Sequence, residues 1–581
     1  WWEMSAGTML QLAASKSAID TSDQLMMFEG EQKVFVVNGS NLKVADFINT
    51  KLNHAELTTA HAKGDILTQA TSTATMIVDF TNTAKTATYG YATSGTWNAA
   101  NSVTGSGSGT AFTPTLGING MLTHTALTTA HTAADILTQA TSNATMTVEY
   151  TDTAKTHTWG RITGGTFTTT YQVTGSGSGT AFTPTATNTR PPLWYDWTVY
   201  VGGASGTMPT KTYLGCFYRK RCVLAGDPNY PYRWYMARVS NPWNWLYVTN
   251  DPLSAIRGLD SGTPETADII RALIPYRDDY LILGCANSIR VIRGDPCAGG
   301  SQDVVDSTVG IFGAQSWCFD GNGNLFFWGT NGIYKLPVGF GQIECLTELC
   351  LPKLVDDEQI DPSVYRITMG YDRKRGGILI SITKVADGTN SCYWYDLKLG
   401  AFYPESYPDE CGAYSQFYYD ANDDAYRDLL VGCKDGYIRK FDNTQRNDDI
   451  GGSDEAISSY CTIIQQISEN ADTEAKLTSL TAIIAGGASG GTFTDTTDST
   501  SILNVTYGIY KGNNAELVLE DIRDGADAHA TGTWTTPGKQ NKVRARTRGV
   551  WLGIKLSNST ASKTWAIEKL FGEIQPAGKS R

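Results

Sequence analysis

Short apolar runs, each closed by a turn containing Gly or Asn and answered by a second apolar or aromatic run, recur four times along the chain. The copies are Val34-Phe35-Val36-Val37 to Leu42, Leu281-Ile282-Leu283 to Ile289, Leu325-Phe326-Phe327-Trp328 to Tyr334, and Leu429-Leu430-Val431 to Ile438. Each reads as a β-hairpin. Repeated hairpins, none of which buries both faces alone, close most economically as blades of a propeller, where every sheet packs on two neighbours and few edges stay open. The first copy stands far from the rest, which predicts a ring interrupted by an insertion. Gly377-Ile378-Leu379-Ile380-Ser381-Ile382 and Tyr393-Trp394-Tyr395-Asp396 supply further strands, whereas Asp268–Ile274 fits helix or strand equally. Six or seven blades are expected.

The insertion is a module written twice. Residues 57–115 and 127–185 align with a constant offset of 70 and no gap, and 40 of the 59 positions are identical. Thr-rich alternation such as Thr145-Met146-Thr147-Val148-Glu149-Tyr150 favours strands, because β-branched side chains lose little freedom on a pleated surface. Each copy is expected to be a small β-sandwich that projects outward and adds nothing to the propeller core. The runs Gly105–Gly109 and Gly175–Gly179 lack a following helix to supply phosphate-binding amides, so they read as flexible turns. The expected fold is all-β: a first propeller segment over 1–48, modules over 49–120 and 121–190, the main propeller over 191–450, and a C-terminal β domain over 451–581. Pro191-Pro192 and Trp194-Tyr195-Asp196-Trp197 mark re-entry into the propeller, and Asn447–Ser458 reads as a linker.

Composition narrows the function classes. A chain of 581 residues with 59 Gly, 29 Tyr and 15 Trp suits a turn-rich all-β protein. No apolar run approaches the roughly 20 residues needed to span a bilayer as a helix. A formal charge of −12 opposes tight nonspecific binding to duplex DNA, which depends on neutralising phosphates. All 11 cysteines fall between Cys216 and Cys461, in odd number and without regular spacing, as for reduced thiols of a protein assembled in cytosol. The opening Trp1-Trp2-Glu3 shows no secretory signal, and the true start is expected upstream.

Candidate chemistry is thin. His54 and His61 recur as His124 and His131, and imidazole pairs bind transition metals, but duplication explains the repetition and no cysteine or carboxylate cluster completes a site. Cys345-x4-Cys350 is too little for zinc, and no cofactor is expected. No His lies between residues 191 and 450, which weakens triad hydrolase readings there. Asp320-Gly321-Asn322-Gly323-Asn324 and Asp420-Ala421-Asn422-Asp423-Asp424 imitate a calcium loop, but Leu325 and Ala425 occupy the position that requires Gly. Gly578-Lys579-Ser580 follows Gly572 with five intervening residues where a phosphate loop needs four. Trp234-Tyr235 and Trp243-Asn244-Trp245 could stack on sugars or fill wedges between blades, and the second use is the commoner one. Near the C-terminus, Lys542, Arg544, Arg546 and Arg548 alternate with Val543, Ala545 and Thr547, so a strand would place all four cations on one face. That stripe is either a solvated outer face or edge protection against strand pairing, or else a dock for an acidic neighbour or for nucleic-acid phosphate.

The segments Tyr218–Pro228 and Arg233–Trp245, extended by Gly284–Asp295, Val309–Ala314, Arg548–Leu556 and Trp565–Glu568, resemble the tail hub or nozzle proteins of short-tailed bacteriophages. The resemblance implies a structural virion protein without catalytic residues, carried in the virion tail and assembled in the host cytoplasm. It further implies a ring of commonly six copies below the portal and adaptor, contacting other tail proteins and passing genomic DNA through its lumen without specific binding. Negative charge facing that lumen would keep DNA from sticking. The alternatives are a virion propeller that adsorbs to host-surface glycan and, ranked below it, a polysaccharide-degrading enzyme.

Overall fold

The computed structural model describes residues 24–116, 118–188, 191–197, 206–260, 263–421, 423–442, 447–450, 453–468, 473–484, 504–535, 538–561 and 563–579. The chain forms two compact units that divide between Pro362 and Ser363. It is all-β, with two short α-helices among the described residues, Leu354–Glu358 and Ala515–Arg523.

In the first unit, the strands Met26–Gly30, Lys33–Val37 and Leu42–Asp46 run side by side, and Leu193–Asp196 completes the sheet by pairing with Leu42–Asp46. The Trp194-Tyr195-Asp196 segment is thus the strand by which the chain re-enters its first blade. Three more four-stranded meanders follow, opening with Leu214–Tyr218, Ile270–Tyr276 and Trp317–Phe319. The ambiguous segment after Asp268 is therefore a strand. All four signature hairpins are present, and each joins the second and third strands of its sheet.

Period-two alternation explains why these strands are apolar throughout. Along Arg221–Asp227, buried over its whole length, Cys222 and Leu224 enter the core shared with the first sheet, while Val223 and Ala225 enter the core shared with the third. Along Tyr280–Cys285, Leu281 and Leu283 face the second sheet and Ile282 the fourth. Each such side chain contributes about 1.5–3 kcal/mol by leaving water. This face-to-face succession of small meanders is β-propeller packing. Charge is built into it at Arg221, whose guanidinium, 1% exposed, meets Asp295 and the carbonyls of Ala237, Pro252 and Ser254. All its bonding directions toward the protein are used, which makes burial of the charge tolerable.

Each inserted module is one six-stranded antiparallel sheet that folds over its own core. Leu52, from near one end of the sheet, shares that core with Val103, beside the other. The second module repeats the core at a spacing of 70, from Leu122 to Phe182. The expectation that the modules add nothing to the propeller is corrected here. In the first module Phe80 stacks on Tyr89 (centroids 4.4 Å apart) and on Trp243 (4.3 Å), within the core of the first and second sheets. At the matched positions of the second module, Tyr150 stacks on Trp159 (4.8 Å) and packs with Val34, Ala45 and Trp194. Phe35 and Val44 point to one face of the first sheet, Val34 and Ala45 to the other, so the two aromatic pairs hold opposite faces of one blade.

The second unit begins with two blade-type sheets, one four-stranded from Tyr365–Asp372 and one three-stranded from Ala413–Tyr419, packed over Leu379, Trp394, Leu429 and Val431. Where a linker was expected, Asn447–Ile450 pairs with Ser453–Ala456 as a hairpin. A two-sheet β-sandwich follows. One sheet orders Ser459–Gln466, Trp551–Asn558, Val505–Gly512 and Ala530–Trp534. The other centres on Thr473–Ile484, with Gly538–Val543 and Thr547–Gly549 along one edge and Ile567–Lys579 along the other. Leu477, Leu480 and Ala482 meet Tyr507, Ile509, Ile554 and Leu556 in between. The helix Ala515–Arg523 seats Val518 and Ile522 on the outside of the first of these sheets, at Gly553, where a Cβ would stand 2.4 Å from Val518.

Candidate functional site

Three places concentrate polar or aromatic groups that the blades do not use. The first is the junction of the first module with the first blade. Lys33, 2% exposed, lies 2.8 Å from Asp79, and Lys63 lies 3.1 Å from the same carboxylate. Burial opposes both charges, yet mutual attraction prevails and holds Lys33 above and Asp79 below their ordinary values. Asn49 bridges Asp79 (2.9 Å) to Asp46 (2.7 Å), which also accepts from the Tyr195 hydroxyl (2.5 Å) and from the amides of Ile48 and Asn49. A pocket of about 390 Å³ opens beside this network. Because its charges are paired with one another, its chemistry is that of a fastening.

The second is a cleft of about 160 Å³ between the modules. Its walls are matched positions of the duplication: Leu52 and Leu122, Gly95 and Gly165, Thr96 and Thr166, Trp97 and Phe167. The indole N–H of Trp97 is buried without a partner among the described residues. An aromatic wall with hydroxyl and amide neighbours suits a polyhydroxyl ligand, although the volume lies below the roughly 300–1,000 Å³ of ordinary small-molecule pockets.

The third is the basic stripe. Lys542, Arg544, Arg546 and Arg548 are all exposed, and Ala545 and Thr547 between them are buried. The strand predicted through them is interrupted: residues 544–546 leave the ladder, and Arg546 takes a left-handed backbone, φ 48°. Lys542 lies 3.6 Å from Glu573, and Arg548 pairs with Glu474. Arg544 and Arg546 have no ion pair among the described residues.

The other sequence candidates resolve into packing. His54 bonds the Ala55 carbonyl (2.9 Å) and the Thr88 hydroxyl (2.9 Å); His61 bonds the Thr110 carbonyl (3.1 Å). His124 and His131 repeat this, and no group of three potential metal ligands occurs among the described residues. The glycine runs serve close approach rather than flexibility. A Cβ at Gly109 would stand 2.1 Å from the His61 ring and one at Gly107 2.3 Å from Asp65, with the same distances at Gly179 and Gly177. Asp320 accepts from the amides of Asn322 and Asn324, which makes its loop a turn. Asp420 pairs with Arg373 and Arg427. Trp234 and Trp243, 1% and 0% exposed, fill the blade cores. All cysteines are free thiols. Gly572 and Gly578 lie in one strand; Ser580 and Arg581 fall outside the described residues, as does Trp1–Asp20 with the chain's opening. No described helix is long and apolar enough to cross a membrane.

Sequence reasoning missed the Lys33–Asp79 fastening. Its signal was present: a lysine opening the apolar run Val34-Phe35-Val36-Val37, with an acid at Asp79 inside a strand.

No protein-family model matches the chain, and no curated protein matches it. Among solved structures, the extracellular domain of a one-component system from B. thetaiotaomicron aligns at 8% identity over 91% of this chain and 83% of its own, with a TM-score of 0.27. The β-propeller domain of the trilobed protease from Pyrococcus furiosus aligns at 9% identity over 67% of this chain and 97% of its own, with a TM-score of 0.20. The endosialidase of phage phi92 aligns at 10% identity over 89% and 77%, with a TM-score of 0.22. The β-propeller assignment rests on the strand pairing and shared cores described above.

Proposed function

We propose that the chain is a structural, non-enzymatic subunit of a phage tail hub or nozzle, self-assembling into a ring through which the genome leaves below the portal and adaptor. The observation that carries the reading is the sandwich of the second unit, whose sheets both end, among the described residues, in exposed edge strands. Ser459–Gln466 leaves Tyr460 62% and Ile463 40% exposed, and Ile567–Lys579 leaves Phe571 43% and Ile574 44% exposed. Long open edges with apolar side chains invite strand pairing or burial by a neighbour, and chains that work alone blunt them. The segments that resemble tail hub proteins support the same reading: Tyr218–Trp245 builds the second blade, and Arg548–Leu556 enters the sandwich. Native mass measurement and negative-stain images of the purified chain test it. A closed ring with an axial hole, commonly of six copies, is expected; a monomer at micromolar concentration would refute it.

The cleft between Trp97 and Phe167 favours a second reading, adsorption to host-surface glycan. Glycan-array binding that disappears in Trp97→Ala, with the fold retained, would establish it.

A further inference from the structure

The C-terminal sandwich carries opposite charges on its two outer faces. On one side, the helix Ala515–Arg523 turns Val518 and Ile522 to the sheet, which sends Glu516, Glu520 and Asp524 away from it in a line at i, i+4 and i+8. Like charges at that spacing repel, and Asp524 at the helix C-terminus also opposes the helix dipole. Asp521 and Asp527 add to the negative charge, and Arg523, bonded to Asp524, is the cation within the helix. Leu517 and Leu519, 47% and 50% exposed, flank the acidic line.

On the other side, Lys542 and Arg548 are exposed on the facing sheet, and Arg544 and Arg546 are exposed on the short link between its two strands. Arg544 and Arg546 sit together without acidic partners among the described residues, and Arg546 holds a left-handed backbone that few non-glycine residues adopt. Phe571 shares this face: it pairs with Thr481, which pairs in turn with Lys542. The acidic line spans about 12 Å. Glu516 and Glu520 on one face and Arg544 and Arg546 on the other have no ion pair among the described residues, and each face carries an exposed apolar neighbour and the sign that the other lacks.

We infer that sandwich domains of successive copies join head to tail, with the Glu516–Glu520–Asp524 line and its leucines docking on the Arg544–Arg546 stripe and Phe571 of the next copy. Two different patches meeting in this way make a heterologous contact, which closes into a ring when the rotation per copy divides a full turn. The inference rests on the assembly reading above and names the partner of the basic stripe as a second copy of this chain.

Complementary charge reversal tests it. Variant one carries Arg544→Glu and Arg546→Glu, and variant two carries Glu520→Lys and Asp524→Lys; all four positions are exposed, and circular dichroism confirms the fold of each. Each variant alone should lose assembly at least tenfold in native mass measurements at low salt, while a 1:1 mixture should regain it as alternating rings. A chain carrying all four substitutions should assemble as the wild type does. Assembly of either variant alone, or failure of both the mixture and the four-fold variant, would overturn the interface while a wild-type ring left the assembly reading standing. A monomeric wild type would remove both. Retention of a duplex DNA fragment by the wild type, lost in variant one with rings intact, would overturn the inference in favour of phosphate binding at the stripe.

Discussion

The two modules were copied from one sequence and now stand in unequal positions. Their cores match residue for residue at a spacing of 70, from Leu52 and Leu122 to Phe112 and Phe182. Their fastenings do not. The first module reaches the first blade with Phe80, Tyr89 and a buried ion pair, Asp79 to Lys33, reinforced by Lys63. In the second module the matched residues are Tyr150, Trp159, Glu149 and Ala133, so the aromatic pair is kept and enlarged while the buried ion pair is not repeated among the described residues. The second copy instead gained a pair of its own: His157 lies 3.1 Å from Asp152, where the first copy has Ala87 and Asn82. Eight of the nine core positions keep their residue, the exception being Trp97 against Phe167. At the positions that face the blade, Asp79, Phe80 and Tyr89 stand against Glu149, Tyr150 and Trp159, and opposite faces of one sheet present different neighbours.

The largest effect expected from this difference is at Asp79. Asp79→Ala leaves Lys33 buried without its ion-pair partner and should cost about 3–5 kcal/mol in urea unfolding. Glu149→Ala, at the matched exposed position, should stay within about 0.5 kcal/mol. Equal losses would mean that the modules are fastened alike. Next in size are Gly109→Ala and Gly179→Ala, each of which drives a methyl into a histidine ring and should cost about 1–3 kcal/mol. Here the two losses should be equal, since the contact is internal to each copy. The smallest effect is pH dependence. Burial lowers the pKa of His54, His61 and His124, so the stability gained by keeping them neutral is present above about pH 6.5 and declines as the pH falls below it. His54→Gln combined with His124→Gln should flatten the fall in melting temperature between pH 7 and 5; an unchanged slope would remove these histidines as its cause.

Much of this architecture was legible in the pattern of apolar runs. The four hairpin signatures locate the second and third strands of four blades, and Trp194-Tyr195-Asp196 marks the return of the chain, because strands buried on both faces leave continuous apolar runs. The second blade escaped the signature: Arg219 and Lys220 form its first turn with left-handed backbones, and its run begins with the buried Arg221. The glycine runs were legible as special but not explained, since what they approach, His61 and Asp65, lies some 40 residues earlier in the chain. The alternation at Lys542–Arg548 predicted one strand face for all four cations and missed the break at 544–546, because period two carries no information on where a ladder stops. The hold of the modules on the first blade was hidden for a similar reason: Phe80 and Tyr89 read as interior residues of a self-contained module.

That hold is tested most directly by amide hydrogen exchange of Lys33–Val37 and Leu42–Asp46 in a chain from which residues 50–188 have been removed and the ends bridged. If the aromatic pairs and Asp79 secure both faces of the first blade, protection of these strands should fall by at least a hundredfold while that of Tyr280–Cys285 and Ile289–Arg293 is kept. Unchanged protection in the first blade would show that it stands without its twin modules.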